Sequence, residues 1–100
     1  MKKLINLNKP ITINGVEFKN RIIMPPMGTG MASINGEVTS QLINYYKKRA
    51  SGGAGGIVVE LACVDSPVGK ASLTQLRIDR PEYIGGLKEL SENIQAHNCR

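Results

Sequence analysis

The sequence predicts an α/β fold with parallel strands, and three observations carry that prediction. Two short apolar runs, Ile22-Ile23-Met24 and Ile57-Val58-Val59, read as buried strands bounded by Pro or Gly. Between them lies a segment of helical periodicity, long enough for a right-handed crossover that would set the strands parallel. A second helical pattern follows the second run, so the order is strand, helix, strand, helix.

A hairpin precedes the first strand. Residues 10–19, PITINGVEFK, place Ile11, Ile13, Val16 and Phe18 around Asn14-Gly15, a pair suited to the positive φ values of a type I′ turn. Alternation would put the apolar residues on one face. A lone hairpin is marginal in water, so this one is expected to cover something.

The first strand, residues 21–25, breaks into Pro25-Pro26-Met27-Gly28-Thr29-Gly30. Two prolines fix φ, while two glycines permit positive φ and close approach of another group to the main chain. Such a loop is suited to a flat ligand lying along the backbone, and equally to a plain turn; composition leaves both open. Asn35-Gly36 marks a second turn. Thr39 or Ser40 then caps a helix whose stripe is Leu42, Tyr45, Tyr46, Arg49 and Ala50, ending at Gly52-Gly53. Tyr45 and Tyr46 read as packing residues with solvated hydroxyls.

The second strand enters through Gly55-Gly56, and its continuous β-branched run predicts burial on both faces. Glu60 stands at its carboxyl end, where α/β sheets bind ligands, so it is read as a site-supporting group or as the partner of a buried cation. Residues 61–78 form a long loop of the kind that is usually functional. Asp79-Arg80-Pro81-Glu82 resembles a capping box, and Tyr83, Leu87, Leu90 and Ile94 form the buried stripe of the next helix. Gly85-Gly86 inside that helix predicts close packing against a neighbour. His97 reads as a cation at a helix C-terminus.

At residues 98–100 the alternation predicts a third strand. Two parallel strands, two helices and a hairpin leave both sheet edges open and much apolar surface uncovered. Such a pattern opens either an α/β barrel or an open sheet.

Composition narrows the function classes. The 100 residues carry 13 basic and 8 acidic side chains, a net charge of +5, but Lys2-Lys3 and Lys47-Lys48-Arg49 are not interleaved with aromatics, so no nucleic-acid partner is expected. Cys63 and Cys99 stand far apart with no CxxC and a single histidine in the chain, so no metal site or disulfide framework is indicated. Polar residues interrupt the N-terminal apolar run, and no stretch has the roughly 18 apolar residues of a membrane span. No membrane partner is expected, and the expected location is cytoplasmic.

Three motifs, NRIIMPPMGTGM, YYKKRASGGAGGIVVELACVDSPVG and IDRPEYIGGLKELSENIQAHN, occur in an order and spacing that closely resembles the opening of the old yellow enzyme family of flavin oxidoreductases. The MGTGM stretch is most similar to the branch of 2,4-dienoyl-CoA reductases and 2-enoate reductases. The resemblance implies the N-terminal portion of a TIM (β/α)8 barrel preceded by a β-hairpin that closes its bottom. Residues 1–100 would then be an incomplete FMN-binding domain of hairpin, two strands and two helices. It implies that Pro26, Met27 and Gly28 lie against the isoalloxazine, with Leu61 approaching through its backbone. Fixed backbone donors there would stabilise charge on reduced flavin without reorganising. Family members often carry Thr or Cys where this chain has Gly28; Thr29, one residue on, could supply the hydroxyl instead.

The family's remaining flavin, substrate and proton-donor residues, and any iron-sulfur cluster, lie beyond the matched segment. The chain therefore reads as part of an enzyme roughly three to six times longer, in line with the about 250 residues of such a barrel. The activity implied is FMN-dependent reduction, by NADH or NADPH, of a C=C bond conjugated to a carbonyl in a small enone or enoyl substrate. The rival is a non-catalytic α/β scaffold that self-associates through its open edges into a homo-oligomer.

Overall fold

The computed structural model describes residues 3–100; Lys2, half of the Lys2-Lys3 pair, lies outside the described residues. Strands β1 (Ile11–Ile13) and β2 (Val16–Phe18) form the antiparallel hairpin, with Asn14 and Gly15 at φ 49° and 81° as a type I′ turn requires. Ile11 faces Phe18 and Ile13 faces Val16, so all four share a face. Only one end of that face is covered: the Phe18 ring meets the start of strand β4 (Gly56–Ile57), where a Cβ on Gly56 would lie 2.8 Å from it. Ile13 and Val16 stay about half exposed.

Strand β3 (Ile23–Met24) pairs with β4 in parallel, Ile23 opposite Gly56 and Met24 opposite Ile57. The ladder continues through the Val58 N–H, which donates to the Met24 carbonyl at 3.0 Å. Glycines are needed where β4 begins, because a Cβ on Gly55 would approach the Asn20 carbonyl oxygen to 2.7 Å. On the other side of β4, the Arg100 N–H donates to the Gly55 carbonyl and the Ile57 N–H donates to the Arg100 carbonyl. That is the bonding of a parallel neighbour, in the place where the alternation predicts a third strand.

The crossover between β3 and β4 is helix α1 (Ser40–Ser51). Thr39 caps it by accepting from the Leu42 N–H, and donates its own hydroxyl to the Met31 carbonyl at 2.6 Å. It ends in a Schellman motif: Gly53 at φ 116° donates to Ala50, and the Ala54 N–H donates to Arg49. Leu42, Tyr46 and Ala50 point into the core, while Arg49 lies outside it with its guanidinium 3.7 Å from the Tyr45 ring centroid. Leu90 and Ile94 of helix α2 (Ile84–Gln95) complete that core with Ala32, Leu76 and Cys99.

Four expectations are corrected. β4 is covered on its helix side, where Ile57 and Val59 pack against the core, but Ile23 and Val58 on the other face are 44% and 48% exposed because no described residue covers them. Residues 61–78 are not structureless: β5 (Ala62–Cys63) and β6 (Leu76–Arg77) pair in parallel. Asp79 does not cap α2. The helix is entered through a 3₁₀ turn, Pro81–Tyr83, from an extended Arg80 with no side-chain cap, because Asp79 is held by Arg77 and the Ser66 N–H. Of the paired glycines only Gly86 is packed, its Cβ position 3.0 Å from that of Val38; Gly85 faces open space. His97 follows the helix end and receives Lys19 Nζ on its carbonyl.

Candidate functional site

The carboxyl ends of β3 and β4 point the same way, opposite to the end touched by the hairpin. Beyond Met24 the chain turns through Pro25 and Pro26 to Met27 and Gly28; beyond Val59 it turns through Glu60 to Leu61. These two exits meet. A Cβ on Gly28 would lie 3.0 Å from Leu61 Cδ2, so the missing side chain is what lets Leu61 lie against the first loop. Met27 and Leu61 are each 50% exposed, and Pro26 is exposed as well, so the apolar side chains at these two exits are open to solvent.

The loop is shaped from within. Thr29 Oγ1 accepts the Met31 N–H at 3.1 Å, closing a local turn, so its hydroxyl is anchored in its own loop. Gly30 follows at φ 69°, where a Cβ would lie 3.5 Å from Thr74 Oγ1, bringing in a third loop between β5 and β6. That third loop is held by polar side chains bonded to main chain. Gln75 Oε1 accepts from Ala71 and Ser72, Asp79 accepts from Ser66, and Lys70 Nζ donates to the Ile34 carbonyl. The turn at Asn35 and Gly36 is tied down by Tyr83, whose hydroxyl donates to the Asn35 carbonyl, and by the Arg77 N–H, which donates to that of Gly36.

Glu60 is 5% exposed. Its partner is no cation but the hydroxyl of Tyr46, which donates to Glu60 Oε2 at 2.9 Å and accepts the Glu60 N–H at 3.0 Å. The expectation of a solvated Tyr46 hydroxyl is therefore corrected: helical spacing places the ring in the core, and burial then requires a partner for the oxygen. Burial also pushes the Tyr46 phenol well above its ordinary pKa, so the hydroxyl stays neutral and can donate. No sequence signal singled out this pair, because its members lie 14 residues apart on different elements.

Among the described residues no cluster of His, Cys, Asp and Glu could hold a metal ion. Cys63 and Cys99 are free and buried, and burial raises the Cys99 thiol. No helix among the described residues is long and apolar enough to cross a membrane. Three cavities among the described residues lie away from the two loops: one of about 170 Å³ between β4 and α2, one of about 460 Å³ beside β3 and the end of α1, and one of about 220 Å³ at Val38 and Gly86. The feature formed by Pro26, Met27, Gly28 and Leu61 is a wall and not a closed pocket.

Comparison with known proteins bears on what such a wall belongs to. The sequence model of the NADH:flavin oxidoreductase / NADH oxidase family matches residues 6–100. This chain belongs to that family. It is 41% identical over 95 residues to the NADH oxidase of Thermoanaerobacter brockii, a match that covers 95% of the chain and 15% of that protein. It is 46% identical over 87 residues to the NADH:acrylate oxidoreductase of Vibrio harveyi, covering 87% of the chain and 8% of the relative. The chain thus spans a small part of the length of these relatives. In structure it superposes on an old yellow enzyme from Pichia sp. AKU4542 with a TM-score of 0.85 at 24% identity, covering 95% of this chain and 24% of the other. The fold is accordingly that of the N-terminal portion of a TIM (β/α)8 barrel, preceded by the β-hairpin.

Proposed function

We propose that the full-length protein is an FMN-dependent NAD(P)H oxidoreductase that reduces a C=C bond conjugated to a carbonyl, and that residues 1–100 form one wall of its flavin site. The observation that carries this reading is the contact between Gly28 and Leu61, made by two loops at the carboxyl ends of adjacent parallel strands. In (β/α)8 barrels that end of the strands is where ligands bind. Family membership supports the flavin and the nicotinamide reductant, and the acrylate-reducing relative supports an activated alkene as substrate.

The residues present fit a flat aromatic cofactor. Gly28 leaves the main chain open to close approach, Pro26 stiffens it, and Met27 and Leu61 offer apolar contact. Thr29 and Glu60 support the wall, the first by closing its turn and the second by fixing the start of the Leu61 segment. Pro26, Met27, Gly28 and Leu61 would hold FMN, and the chemistry supplied by the bound group would be hydride transfer between nicotinamide and alkene. The chain's own part is to hold the ring in one plane and to keep water from one face.

These 100 residues supply one wall, so they are expected to turn nothing over by themselves. The test is a visible spectrum and an enone-reduction assay on the purified full-length protein and on residues 1–100 alone. The expected result is stoichiometric yellow flavin and NAD(P)H-dependent reduction in the former and neither in the latter. A colourless full-length protein without activity would favour a scaffold.

A further inference from the structure

The pairing of Tyr46 with Glu60 has a geometry that core packing alone does not require. One phenol oxygen closes on two groups of a single residue, donating to the carboxylate and accepting from the main-chain N–H. Together the two bonds restrict both the backbone and the side chain of Glu60. On the β3 side of β4 the main-chain N–H groups of Gly56 and Val58 donate to the Ile22 and Met24 carbonyls, but the next one, that of Glu60, donates to the Tyr46 hydroxyl and to no β3 carbonyl. The Tyr46 hydroxyl thus takes over where the sheet stops.

The hydroxyl is itself fixed. Tyr46 is fully buried, its ring packs edge-on to that of Tyr45, and α1 is capped at both ends. The next residue along the chain is Leu61, which lies against Gly28. A change in the Glu60 backbone, which the Tyr46 hydroxyl holds through the Glu60 N–H, would displace Leu61.

Resting on the flavin-site reading above, we propose that Tyr46 is a positioning residue: its hydroxyl, by holding Glu60 at two points, sets where Leu61 lies and so the shape of the flavin wall. Tyr46 touches no reacting group and acts through Glu60.

The test measures FMN affinity, the flavin visible spectrum and the thermal midpoint of the flavin-free protein, using the full-length chain. Tyr46→Phe keeps the ring and removes the hydroxyl, Glu60→Ala removes the other partner, and the double variant closes a cycle. Tyr83→Phe is the control, because it also deletes a hydroxyl bonded to main chain, but away from Glu60. The expected result is about tenfold weaker FMN binding and a shifted flavin band in each of the two site variants, with the double variant no weaker than either. The control is expected to lower the thermal midpoint while leaving FMN affinity and spectrum unchanged. If Tyr46→Phe loses thermal stability but binds FMN with wild-type affinity and spectrum, the inference is overturned and the pair is structural only. Should Tyr46→Phe fail to fold, wild-type FMN binding by Glu60→Ala overturns it equally. A wild-type protein that takes up no flavin overturns the flavin-site reading, and this inference with it.

Discussion

Gly28 and Asp79 are the residues whose surroundings make the sharpest claims. At Gly28 an added methyl would press on Leu61 Cδ2, but Leu61 is half exposed and can swing aside. Gly28→Ala should therefore cost no more than about 1 kcal/mol in thermal or urea unfolding. Gly28→Val, which adds two further methyl groups where a ligand would approach the main chain, should weaken FMN uptake well beyond the alanine variant. The Asp79 side chain is 8% exposed and accepts two bonds from the Arg77 guanidinium, at 2.9 and 2.7 Å. That guanidinium holds its carboxyl well below the usual carboxylate range. A depressed folded-state pKa means stability that is fully present above the unfolded value of about 3.9 and is lost as pH falls toward the folded one. Thermal midpoints followed from pH 7 downward should show wild type falling more steeply below about pH 4 than Asp79→Asn, with the two curves converging in acid. Parallel curves would mean that the ion pair contributes nothing to acid sensitivity.

Among the elements, α2 and the turn before α1 give opposite answers to the same substitution. Gly85 lies within a regular helix and a Cβ there meets open space, so Gly85→Ala should stabilise by about 0.5–1 kcal/mol. Gly36 sits at φ 85° and a Cβ would overlap the Arg77 side chain, so Gly36→Ala should destabilise by about 2 kcal/mol or more. Chemical denaturation of both variants checks the pair. Elements with strong local signals were legible in the sequence: Asn14-Gly15 for the hairpin, Thr39 and Gly53 for the limits of α1, Gly55-Gly56 for the start of β4. Strands β5 and β6 were not, since two residues each carry no period, and their pairing depends on contacts across a long connection. The Asp79 cap failed for a related reason. A carboxylate suited to capping also suits a guanidinium two residues away, and the bidentate pair prevailed.

At the scale of the whole molecule, the open face of β3 and β4 is the dominant feature. Ile23 and Val58 lie exposed on residues that read as a buried sheet, and an apolar cavity opens between β4 and α2. In a (β/α)8 barrel such surfaces are filled by later strands and helices. Residues 1–100 expressed alone should accordingly self-associate and bind a hydrophobic dye, as shown by sedimentation and dye fluorescence, whereas the full-length protein should do neither. A monodisperse fragment that ignores the dye would mean the face is satisfied in some other way.

Local chemistry was enough to determine the order of hairpin, β3, α1, β4 and α2, the hairpin turn, the caps of α1 and the membership of Pro26, Met27, Gly28 and Leu61 in loops at strand ends, because glycine, proline and capping residues act on their own neighbours. Only the tertiary structure decided that Gly28 meets Leu61, that Glu60 is held by Tyr46, and that one face of the sheet stays open. Each of these depends on atoms distant in sequence, and the pattern of apolar residues that buries Tyr46 says nothing about which polar group will meet its hydroxyl.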